Sequence, residues 1–126
     1  MFRRKAYDRL LAWKGADDRT AMLIEGARRV GKSTVAEEFA KNEYESYALI
    51  DFTRVDAEFK QTFLDLRNDL DGLFLYLSAA LGVTLTQHQS LVIFDEVQMF
   101  PPAREFIKHL VADGRFDYIE TGSLIS

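Results

Sequence analysis

The sequence predicts an α/β protein, a mostly parallel sheet with helices on both faces. Three observations carry that expectation. Strand-like runs recur at Ala21–Gly26, Tyr47–Phe52, Leu91–Glu96 and Asp117–Ser123. Stretches with apolar residues three to four apart separate them, as helices would. The third run, LVIFDE, holds four consecutive apolar residues, the pattern of a strand buried on both faces.

Phe2, Ala6, Leu10 and Trp13 share one helical stripe, so a helix is expected over 2–14, ended by Gly15. AMLIEG then stops at a glycine, as a short buried strand does. Helical spacing returns with Val35, Ala36, Phe39 and Ala40. YALIDF is the second strand. The segment from Ala57 to Leu81 reads as one or two helices, broken near Asn68 and Asp69 and stopped at Gly82. Pro101 and Pro102 open a helix carrying Ala103, Phe106, Ile107, Leu110 and Val111, and Gly114 closes it. DYIETGS is a fourth strand running into a turn.

Bulk properties narrow the class. A chain of 126 residues is one domain, large enough for a real core. Its net charge of −4 argues against a dedicated nucleic-acid or anionic-membrane binder. With no cysteine there are no disulfides or thiolate metal sites, which fits the cytoplasm. His88 and His109 have no ligand cluster around them and read as surface or packing residues. The most apolar stretch, Leu73–Val83, is about half the ~20 residues a membrane span needs. Lys5, Asp8 and Arg9 interrupt any signal-peptide core.

The chemistry concentrates after the first strand. GARRVGKST has the spacing G-x-x-x-x-G-K-S, with a strand before it and a helix behind. In such a loop Gly26 lets the backbone turn and Gly31 lets it approach a phosphate. Backbone N–H groups of Ala27, Arg28, Arg29, Val30 and Gly31, with the positive helix end, cradle the anion. Lys32 reaches the β- and γ-phosphates, Ser33 holds Mg²⁺, and Thr34 lies toward the α-phosphate. A chance match has odds of about two in a thousand for this composition, before the strand and helix are required. ATP or ADP with Mg²⁺ is the expected ligand.

Asp95 and Glu96 end the buried third strand, where ligands of open α/β sheets bind. Asp95 is placed to serve Mg²⁺ with Ser33, and Glu96 to orient or deprotonate a water. Alone, an acidic pair at a strand end is equally a solvated terminus; the upstream loop tips the balance. Thr121, at the end of the fourth strand, is equally compatible with an ordinary polar turn and with a hydroxyl touching phosphate or water. Glu120 is awkward in a central strand and needs a partner, for which Arg28 or Arg29 are candidates.

In that order, GARRVGKST, LIDF, LVIFDEVQ and FDYIETGSLIS resemble the N-terminal ATPase core of a group of prokaryotic AAA-type ATPases, within the P-loop NTPase class. These proteins are commonly described only as AAA family ATPases with an uncharacterised C-terminal domain. The resemblance spans essentially the whole chain. It implies Lys32 and Ser33 as nucleotide and Mg²⁺ ligands, Asp95 as the second acidic motif, Glu96 as the water-activating residue and Thr121 as a γ-phosphate sensor. It also implies a protein partner or oligomer in a longer protein. Members are much longer, so a core truncated after the fourth strand is expected, lacking the fifth strand, the lid and the arginine finger. In the group's sheet the first strand lies between the fourth and the fifth, which leaves Met22–Glu25 on an open edge here.

Three other functions compete. A phosphotransferase uses the same loop, but Glu96 beside Asp95 would activate water. A nucleic-acid motor is echoed by DEVQ, against the short interval from Lys32 to Asp95 and the acidic charge. A nucleotide-gated interaction switch would show slow turnover and partner binding that depends on ATP.

Overall fold

In the computed structural model, which describes residues 2–16, 20–27 and 30–123, four strands and five α-helices alternate as the sequence predicts. Helix α1 covers Phe2–Gly15, followed by β1 (Met22–Gly26), α2 (Lys32–Glu43) and β2 (Ser46–Asp51). Two helices, α3 (Ala57–Asp65) and α4 (Leu70–Leu81), lead to β3 (Ser90–Asp95). A single 3-10 turn, Val97–Met99, then α5 (Pro101–Asp113) and β4 (Asp117–Ser123) complete the order.

The break between α3 and α4 has a local cause. Asp69 adopts a non-helical backbone and its Oδ1 accepts the Gly72 N–H at 3.0 Å, starting a new helix instead of continuing the old one. Asp56 starts α3 the same way, accepting from Phe59 N–H at 2.8 Å. Gly82 ends α4 in the left-handed conformation, at φ 65°, that glycine reaches without strain.

All strand pairs are parallel, in the order β1-β4-β3-β2. The expected open edge is present: β1 pairs only with β4 among the described residues. Placement of helices follows from crossover handedness. The chain moves across the sheet from β1 to β2 through α2, then returns through β3 and β4. A right-handed crossover in the reverse direction must use the opposite face. Accordingly α1 and α2 bury Leu10, Val35 and Phe39 against Ile24, Ile93 and Ile119. On the other face α3, α4 and α5 bury Phe63, Leu77 and Leu110 against Val92, Phe94 and Tyr118. β3 serves both cores and is buried along its whole length, as its continuous apolar run requires.

Aromatic packing dominates the second core. Phe63, fully buried, meets the rings of Phe94, Phe100 and Phe106 edge-on at 6.2, 6.1 and 6.0 Å. Among the described residues, no helix is long and apolar enough to cross a membrane. Both histidines are exposed, and His109 lies against the Phe106 ring at 5.3 Å.

Candidate functional site

The carboxyl ends of β1, β3 and β4 bring the predicted residues together. β1 delivers Gly26 and Ala27, and α2 starts at Lys32. Arg28 and Arg29 lie outside the described residues. Gly31 caps α2 with φ 93° and makes no side-chain cap bond. A side chain with Cβ would be strained there, and the first-turn N–H groups of α2 receive no capping oxygen from it. Such a helix start is an anion site by its own partial charge. Val30 and Thr34 are exposed on either side of the turn.

Lys32 is only 4% exposed. Its ammonium donates to Gly26 O at 3.2 Å, Ala27 O at 3.0 Å and Ser123 Oγ at 3.1 Å. An ammonium has three protons, so a phosphate oxygen must take the place of one of these acceptors. The first two carbonyls of the loop thus hold its own cation.

Ser33, one residue further, donates to Asp95 Oδ1 at 2.6 Å. The same oxygen accepts the Thr121 hydroxyl at 2.6 Å, and Thr121 Oγ1 in turn accepts the Glu96 N–H at 3.0 Å. Asp95 is 7% exposed and Thr121 fully buried. A buried carboxylate bonded to two hydroxyls is a hard-oxygen set that fits Mg²⁺. No cluster of three His, Cys, Asp or Glu ligands exists among the described residues.

Glu96 lies just past β3, in a left-handed backbone conformation at φ 54° and ψ 51°. A non-glycine residue there is strained by about 1 kcal/mol. The turn aims the Glu96 side chain along the site: Oε1 accepts from Gln98 Nε2 at 2.9 Å and from Ser123 Oγ at 2.8 Å, and Oε2 is 4.0 Å from Lys32 Nζ. Partial burial pushes its carboxyl up, but bonds from Gln98 and Ser123 and the Lys32 charge outweigh it and hold it below the ordinary range.

One residue carries more of the site than the sequence indicates. Ser123 stands between Lys32 and Glu96, because β4 runs two residues beyond Thr121 and pairs Ser123 with Gly26. Its signal was the third letter of TGS, at the end of the predicted strand, and nothing near it in sequence names Lys32 or Glu96 as partners. Gln98 holds Glu96 through its amide, while its Oε1 is buried without a hydrogen-bond partner among the described residues. Glu120 faces α5, and the charged group acting on it is Arg104 of that helix. The loop arginines considered for it lie outside the described residues.

Fold and loop together define a nucleotide-binding α/β protein of the P-loop class. A family model described as AAA domain matches residues 18–126, and the chain belongs to that family. A solved structure of C. elegans PCH-2 is similar in fold, with a TM-score of 0.50 at 16% identity. The match covers 99% of this chain and 34% of that one, so this chain spans about a third of the length of PCH-2. No curated protein matches the sequence.

Proposed function

We propose that the chain binds ATP or ADP with Mg²⁺ and is the N-terminal hydrolytic core of a longer AAA-type ATPase acting in the cytoplasm with a protein partner or as an oligomer. The observation that carries the reading is the Ser33–Asp95 bond of 2.6 Å, which joins the phosphate loop to the acidic strand across 62 residues. Lys32 supplies the buried cation for the β- and γ-phosphates, and the loop from Gly26 to Thr34 supplies the N–H cradle. Ser33 and Asp95 are the residues that would hold Mg²⁺. That ion, when bound, neutralises charge developing on the phosphate oxygens.

Glu96 is the general base for water in this reading. A carboxylate held low by hydrogen bonds is a weak base, so those bonds must loosen before it takes a proton. Lys32 provides the coupling: when it exchanges its bond to Ser123 for one to a phosphate oxygen, Ser123 loses the cation that polarises its proton toward Glu96 and becomes a weaker donor to it. Thr121 keeps Asp95 and the Glu96 backbone in register, and as the γ-phosphate sensor it would exchange its bond to Asp95 for one to phosphate or water.

The test is calorimetric titration of the chain with MgATP. Lys32→Ala should weaken binding at least roughly a hundredfold, by deleting the main cation at the phosphates. Equal affinity for wild type and variant sinks the assignment.

A further inference from the structure

The opposite face of the sheet carries a second polar feature. Glu120 is 8% exposed, and its Oε1 has no hydrogen-bond partner among the described residues. It lines a groove of about 380 Å³ whose other walls are Thr20 and Ala21, ahead of β1, and Ile107, Lys108 and Val111 of α5. Glu120 is the one acidic residue among these walls. The groove lies where α5 stops covering the sheet, beside the open edge strand β1.

A carboxylate removed from water without a donor is costly, and more so among apolar neighbours. Burial pushes the Glu120 carboxyl up, and Arg104 only partly draws it down. The arrangement is complementary to a donor on an apolar stem, the chemistry of an arginine or lysine side chain. Lys108 lies at the exposed rim of the groove, so an occupant's cation must reach past it to Glu120. The neighbouring edge strand, with one side unpaired, is a surface on which an extended chain docks. A volume of about 380 Å³ holds a few side chains, not a folded unit.

We propose that this groove binds a polypeptide segment presenting one arginine or lysine between apolar side chains, with Glu120 as the counter-ion. The site shares no residue with the nucleotide site and stands whether or not ATP is hydrolysed. The cationic stem packs along Ile107 and Val111, its head meets Glu120, and the flanking apolar residues cover Ala21.

Amide NMR titration of the chain tests it with three probes: acetyl-Leu-Arg-Leu-amide, the same peptide with neutral citrulline for arginine, and free butylguanidinium. The arginine peptide should shift the resonances of Thr20, Ala21, Lys108 and Val111 and bind about tenfold tighter than the citrulline peptide. Glu120→Gln should abolish that preference. Thr20→Trp, an exposed position at the mouth, should block both peptides and serves as the deciding variant if Glu120→Gln does not fold. Citrulline binding as tightly as arginine overturns the proposal, as do shifts confined to other faces or a preference that survives Glu120→Gln. Butylguanidinium binding as tightly as the peptide overturns the assignment to a polypeptide.

Discussion

Thr121 donates its hydroxyl proton to Asp95 Oδ1 at 2.6 Å and spends its acceptor on the Glu96 N–H. One small side chain of β4 therefore fixes both acidic residues at the end of β3. The hydroxyl has a single proton, which goes to Asp95 in this arrangement.

Thr121→Val keeps the shape and removes both bonds. It should cost about 1–3 kcal/mol of stability, since the Glu96 N–H and one Asp95 lone pair lose their partners in a buried place. Urea unfolding checks this. MgATP affinity should fall with it, because Asp95 loses its orientation toward Ser33.

In the longer protein, where ATP is hydrolysed, Glu96→Gln should preserve nucleotide affinity while slowing phosphate release by about two orders of magnitude or more. The amide matches the carboxylate in shape but cannot accept the proton of water. Unchanged steady-state turnover would move the base elsewhere.

Glu120 makes stability depend on pH. Its carboxyl is raised in the folded chain by burial, partly countered by Arg104, with Lys108 on the same helix. A raised acid binds its proton more tightly folded than unfolded. The Glu120 contribution to stability is therefore fully present below the unfolded value of about 4.3 and is lost as pH rises through the higher folded value. Glu120→Gln should flatten that decline in thermal unfolding between pH 4 and neutrality, on the order of the unfolded carboxylate range upward. An equally steep decline in the variant would show that other groups set it.

The edge of β1 should recruit a second chain. Met22, Leu23 and Ile24 form an apolar strand with one side unpaired in the sheet order. Beside it, Phe2, Lys5, Ala6 and Arg9 of α1 line a cleft of about 250 Å³ with Met22, Ile24 and Glu25, so two basic residues guard the strand. Sedimentation should reveal association that grows with protein concentration, and Lys5→Ala with Arg9→Ala should strengthen it. Monomers at every concentration in both proteins would show that α1 already closes the edge.

Local patterns explain what was legible. The Gly26–Lys32 spacing, the burial of Leu91–Phe94 and the break at Asp69 depend on neighbouring residues, so the loop, the central strand and the paired helices read directly. Strand ends shifted by one residue, β2 to Ser46–Asp51 and β3 to Ser90–Asp95, because register is fixed by the partner strand and not by hydropathy. That shift puts Glu96 in a strained turn instead of a strand. Ser123 stayed hidden for a similar reason. Its partners are 91 and 27 residues away, and nothing near it in sequence announces them.

The strand order also bears on how the chain acquires its site. Met22 aligns with Ile119, and Gly26 with Ser123, so the first strand finds its place only against the last. Pairings this distant are slow to form, since much chain must be ordered before any contact rewards the loss of freedom. During synthesis the phosphate loop leaves the ribosome early but has nothing to lie against until β4 follows. Lys32 can meet Ser123 only once β4 is in place beside β1. A chain that stops short of β4 therefore holds the motif without the Ser123 contact to its lysine.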